Sequence, residues 1–224
     1  MNFEVITSQF WSLALQGLAL GLIYSLVALG YTMVYGVLRL INFANSEVFM
    51  FGTFATLWVE VNLLGNPVAT QPLHGFKLVG HLVLALVGSM IACALLAVLV
   101  ELVAYRRLRA RGASRLSSLI SAIGVSIFLL EAMRIFTNSR PKTAPRLLEK
   151  WTFGEVAGAN FRIDTMLVIV APILIFILLD RFVNLSRFGK AIRAVSLSEE
   201  NSKLMGININ KVVTLTFMIG GLTT

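Results

Sequence analysis

Asn42, Asn45, Ser46 and Glu47 crowd into the segment RLINFANSE, 39–47, with a long apolar run on either side. Two amides, a hydroxyl and a carboxylate in that position admit two readings. One is a turn in water at the end of a span. The other is a polar break at membrane depth, tolerated only where it lines a cavity or is buried in protein. Elsewhere the means of bond-making chemistry are sparse. His74 and His81 are the only histidines, and their i,i+7 spacing crosses a loop containing Gly75, so they do not read as a metal pair. No Ser/His/Asp or Cys/His constellation stands out. Gly189-Lys190 is followed by Ala191 and has no glycine five residues before Gly189, so it is not a phosphate-binding loop. Cys93, the single cysteine, lies inside an apolar run and leaves no intrachain disulfide. No cofactor or metal site follows from these residues.

Membrane spans must position the polar groups. Of the 224 residues, 57% are hydrophobic and 13% charged, with a mean hydropathy of +0.84, whereas soluble domains carry about 25% charge. The composition predicts an all-α, polytopic integral membrane bundle. Apolar runs at 11–38, 48–64, 78–104, 116–137 and 164–183 give about five full spans, and a sixth run starts at Val212 and stops at Thr224. That last run covers about 20 Å of a hydrocarbon layer of about 30 Å. The expectation is a truncated sixth span, a domain incomplete at its C-terminus, and a chain that does not transport unaided. The first run is longer than a bilayer needs and must tilt or break. Gly17 and Gly21 form a GxxxG in it, and Gly124 is flanked by small residues in the fourth, so all three read as helix-packing positions. Pro172 can kink the fifth. Glu131 and Arg134, at i,i+3, read as a structural ion pair; His81 and Glu101 read as side chains snorkelling to the interface.

The net charge of +8 concentrates in loops. Residues 105–115 hold Arg106, Arg107, Arg109, Arg111 and Arg115 with no acid, and 180–211 is also basic. Both are expected on the cytoplasmic side, two spans apart, which puts 39–47 inside and the N-terminus outside. The first ten residues carry no Lys or Arg, which agrees and leaves no signal-peptide pattern. The connection 138–163 runs against the trend, with five basic residues. Its Trp151 suits an outer interface. The basic loops account for the charge, and no aromatic-and-basic surface pattern speaks for nucleic acid.

Residues 186–211, SRFGKAIRAVSLSEENSKLMGININK, form the most polar connection. Phe188, Ala191, Ile192 and Val195 fall at i, i+3, i+4 and i+7, one apolar stripe of a helix. A second short helix is predicted from Ser196, with Ser196-x-x-Glu199 spaced as a capping box. In it Leu197, Leu204 and Met205 share a face, and Gly206 supplies the left-handed C′ position. Pieces this short need a surface to lie on. That surface is either their own membrane domain or a cytosolic partner.

YTMVYGVLRLINFANSEVFMFG (31–52), LISAIGVSIFL (119–129) and SRFGKAIRA…LMGININKVVTLTFMIGG (186–221) resemble the permeases of branched-chain amino acid ABC importers, most closely the H-type subunit of the high-affinity system. The family also holds urea and amide permeases. The resemblance runs from Gly17 to Gly221. It implies one transmembrane permease domain over 1–224, with 186–211 as a cytoplasmic ATPase-docking loop. By this likeness Phe188, Gly189, Ile192, Arg193, Leu197, Leu204 and Gly206 dock the ATPase, and Asn42, Asn45, Ser46 and Glu47 belong to the substrate pathway. The implied activity is inward movement of branched-chain or other hydrophobic amino acids, with no enzymatic step on this chain. The implied partners are a second permease subunit, two cytosolic ATPase subunits, an extracytoplasmic substrate-binding protein and membrane lipid, in the cytoplasmic (inner) membrane of a prokaryote. The family's Asn-Phe-Ala-His-Gly-Glu is met by Asn42, Phe43, Ala44 and Glu47, with Asn45 and Ser46 in place of His and Gly; Ser198 and Ser202 are further departures. A secondary transporter or channel competes, and would call for internal repeats and mid-span ionisable residues. The sequence carries no convincing repeat, and its charges lie mostly near span ends. A membrane-embedded enzyme lacks a catalytic cluster.

Overall fold

The computed structural model describes residues 3–65, 73–144, 147–148, 152–156 and 159–224. Pro67, Pro72, Pro145, Trp151 and Gly158 lie outside them. The helices are α1 (Phe3–Leu38), α2 (Asn45–Trp58), α3 (Gly75–Val100), α4 (Arg106–Ala110), α5 (Arg115–Phe136), α6 (Ile163–Leu185), α7 (Arg187–Leu197), α8 (Glu199–Leu204) and α9 (Ile209–Thr223). Two π-helical turns, Val59–Leu63 and Glu101–Tyr105, prolong α2 and fuse α3 with α4 into one helix over Gly75–Ala110. The connection between α5 and α6 holds an antiparallel hairpin of β1 (Thr152–Val156) and β2 (Ala159–Arg162), with Val156 opposite Ala159 and Glu155 opposite Asn160. The hairpin is an addition to the all-helical expectation: Thr, Phe and Val in a connection broken by Gly154 favour extended pairing.

Among the described residues, four helices are long and apolar enough to cross a membrane: Phe10–Leu38, Gly75–Ala110, Leu116–Phe136 and Ile163–Leu185. Ile209–Thr223 is a shorter apolar helix. The chain is a multi-pass helical membrane protein. The expected second span is not one of the four. Its place is taken by α2 and its π turn, 45–63, which carry Glu47 and Glu60 into the interior. The apolar run read by hydropathy starts at Val48, after Asn45, Ser46 and Glu47, whereas the helix starts at Asn45.

The centre of the bundle is α9, packed on α1 and α3 through small residues. A Cβ added at Gly221 would lie 2.7 Å from the Cys93 carbonyl oxygen, and one at Gly30 would lie 2.9 Å from the Gly220 carbonyl oxygen. Such close approach supplies dispersion contact where lipid removes the hydrophobic drive. Among the described residues, nothing lies within 4 Å of a Cβ built at Gly17, Gly21 or Gly124, so these three expected packing positions meet no neighbour there. α6 runs unbroken through Pro172.

Candidate functional site

α1 ends where Arg39 turns left-handed, with φ of 53°. Asn42 then folds over the next turn. Its Oδ1 accepts from the Ala44 amide at 3.2 Å and from the Tyr105 hydroxyl at 3.0 Å. Asparagine does this readily because its side chain mimics a backbone turn. The chain re-enters the bundle as α2, and Asn45 Nδ2 donates to the Thr224 hydroxyl at 3.2 Å, beside Gly30. Glu47 Oε1 accepts from Ser126 Oγ at 2.7 Å, and its other oxygen accepts from the Ser46 hydroxyl. Ser126 is eleven residues beyond the start of α5, about 16 Å along the helix. That is close to half of the ~30 Å hydrocarbon layer.

The segment is therefore not a turn in water. Asn42 and Asn45 are 2% exposed and Glu47 8%; Ser46 alone of the four faces outward. Among the described residues no cation pairs with Glu47, so hydroxyls and not a counter-charge hold a carboxylate where unpaired ions are expensive. A cavity of about 230 Å³ adjoins this junction, lined by Phe49, Thr53, Ser89, Met90, Cys93 and Thr224 among others. Its walls are apolar with a few hydroxyls. The geometry can take an aliphatic group and offers hydrogen-bonding atoms beside it.

Toward the basic end of the bundle, Glu101 is fully buried and does not snorkel as expected. Its carboxylate accepts from Arg106 at 3.0 and 3.3 Å, from Arg109 at 3.3 Å and from the Thr214 hydroxyl at 3.0 Å. Arg109 also donates to Asn210 Oδ1 at 2.9 Å. The π turn puts residues five apart on one line, which is how Arg106 reaches Glu101. This cluster ties α3 and α4 to the start of α9. At the opposite end, Glu60, 2% exposed, meets His81 at 3.2 Å. Among the described residues no group of three metal-ligating side chains assembles. Glu131 and Arg134 form the expected surface pair, 3.3 Å apart.

The α7–α8 stretch divides the predicted docking residues into two groups. Ile192 and Val195 are buried in the main core with Val34 and Val37 of α1 and Val213 and Phe217 of α9. Gly189 is buried against the Val183 carbonyl with no room for a Cβ. Arg193 donates to Asn184 Oδ1 at 3.0 Å, bracing the α6–α7 corner. These four are occupied within the chain. Phe188, Leu197, Leu204 and Met205 are 47%, 80%, 86% and 83% exposed. The predicted capping box does not form. Ser196 is inside α7, its hydroxyl on the Arg193 carbonyl, and Ser198 caps α8 by accepting from the Asn201 amide. The α7 stripe continues through Val195, so the helix outlasts the cap expected at Ser196. Gly206 does take the left-handed C′ position, φ 76°, with Ile207 N–H bonded to the Ser202 carbonyl, as helix-ending glycines do.

The described residues form a multi-pass helical bundle folded around a buried, hydrogen-bonded polar break. Residues 13–224 match the family model of the branched-chain amino acid transport system permease component, and the chain belongs to that family. It is 39% identical over 207 residues to the high-affinity branched-chain amino acid transport system permease protein BraD of Pseudomonas aeruginosa. It is 36% identical over 207 residues to the corresponding LivH of Escherichia coli K12. Each alignment covers 91% of this chain and 64% of the relative, so the chain spans just under two thirds of the length of these curated proteins. No solved structure matches the chain.

The partners of Asn42, Asn45, Glu47 and Glu101 were not legible beforehand. Tyr105, Ser126, Thr214 and Thr224 look like ordinary span residues in sequence. The available signal was Glu101 with Arg106 and Arg109, one acid among arginines at the end of an apolar run.

Proposed function

We propose that the chain is the membrane-spanning permease subunit of an ATP-driven importer that carries branched-chain amino acids inward across the cytoplasmic (inner) membrane of a prokaryote. The observation that carries this reading is the polar break, buried near the middle of the bundle and set beside an apolar cavity, in a chain of this family. The cavity suits a branched aliphatic side chain. The hydroxyls of Thr53, Ser89 and Thr224 on its wall, with Asn45 bonded to Thr224, suit the charged ends of a zwitterion. ATP is hydrolysed on two separate cytosolic subunits, a second permease subunit completes the pathway, and an extracytoplasmic binding protein delivers the substrate. The exposed Leu197, Leu204 and Met205 at the basic end form the apolar contact for an ATPase. Apolar side chains that the chain leaves uncovered beside charged residues mark such contacts.

The test is uptake by proteoliposomes holding the full-length protein and its partners. Labelled leucine should accumulate only with ATP and binding protein, and isoleucine and valine should compete. Uptake of urea or acetamide with no competition by leucine would move the substrate to the amide branch. ATP-independent uptake would overturn the importer reading.

A further inference from the structure

Arg39 touches both regions of interest, and we infer that it is a positioning residue that passes movement of the α7–α8 corner to the polar break. The inference rests on the ATPase docking proposed above. Arg39 occupies the position just past α1 with a left-handed backbone, φ 53°. Glycine adopts that conformation freely, and a residue with a Cβ does not. An arginine there bears a backbone cost that glycine would avoid, and it makes side-chain contacts that glycine could not. Its Nη2 donates to the Ser196 carbonyl at 3.0 Å and to the Leu197 carbonyl at 3.4 Å. These are the last turns of α7, where the helix dipole favours a cation. Among the described residues it has no carboxylate partner, so its charge is spent on these carbonyls.

The two ends of this contact lead to the two regions. On one side, Leu197 is followed at once by Ser198, which caps α8. On the other, Arg39 is three residues before Asn42, the residue that folds the chain into α2. Val34 and Val37 of α1, Ala44 of the break and Ile192 and Val195 of α7 share one core cluster. Close-packed clusters pass a displacement on instead of absorbing it. A push on α8 therefore pulls on the residue from which the break hangs.

A turn-forming role and a linking role separate cleanly at this position. Arg39→Gly keeps the left-handed turn and removes the link. Arg39→Lys keeps the charge but replaces the guanidinium, whose Nη2 meets both carbonyls, with a compact ammonium on a shorter stem. Both are made in the intact importer, full-length chain with its partners, in proteoliposomes. Two quantities are read: ATP hydrolysed per substrate imported, and the rate at which an aqueous maleimide labels Ser46→Cys in a Cys93→Ser background, with and without nucleotide. With Arg39 present, nucleotide should change the labelling rate. Arg39→Gly should abolish that change and raise ATP per substrate about tenfold, with Arg39→Lys between; thermal unfolding should not move. If Arg39→Gly keeps both the nucleotide effect and the coupling ratio, Arg39 only ends a helix and the inference is overturned. If nucleotide has no effect even with Arg39 in place, the docking reading itself fails and the inference falls with it.

Discussion

The polar break at 39–47 and the α7–α8 corner are both short polar interruptions between apolar helices, yet they solve their exposed groups in opposite ways. In the break, Asn42, Asn45 and Glu47 each find a partner on another helix of the same chain: Tyr105, Thr224 and Ser126. At the corner, α7 buries Ile192 and Val195 inward, while Leu197 at its end and Leu204 and Met205 at the end of α8 are more than three quarters uncovered. The break is completed internally and the corner is not. Buried polar groups must be satisfied where they stand, whereas an apolar patch at the membrane edge can wait for another protein. Substitutions should then separate stability from assembly.

The largest loss of stability is expected inside the bundle. Glu101→Leu leaves Arg106 and Arg109 without their shared carboxylate and should cost about 3 kcal/mol in unfolding in detergent. Gly221→Val meets the Cys93 carbonyl 2.7 Å from its Cβ and should cost about 2 kcal/mol by overpacking. Gly17→Val, in open space, should stay within about 0.5 kcal/mol in the same assay; an equal loss at both sites would erase the distinction between the packed and unpacked glycine faces. Asn45→Ala removes one side-chain hydrogen bond and should cost about 1 kcal/mol, with a larger relative fall in uptake than in stability.

The sequence made the class of fold plain because hydropathy and charge report directly on the bilayer. It also located the break, since nine residues with two amides and an acid stand out between apolar runs. The depth of the break was not legible, because it depends on where α2 starts relative to Ser126 on α5, a tertiary contact 79 residues away in sequence. The family likeness places Gly189 and Ile192 among the docking residues, but it does not report their surroundings, which are set by the α6–α7 corner and by α1. Arg39 gave no signal at all, since a left-handed arginine reads as any other residue at the end of a span. The hairpin after α5 was missed because its pairing residues sit in a connection dominated by breakers.

On the proposed docking, the uncovered α7–α8 surface serves another protein and not the fold of this chain. The double variant Leu197→Asp/Leu204→Asp tests it in one preparation, by thermal unfolding of the purified full-length chain and by ATPase co-purification from cells. The expected result is an unfolding midpoint indistinguishable from that of the parent together with loss of the ATPase. Normal co-purification and ATPase stimulation with both aspartates in place would contradict it.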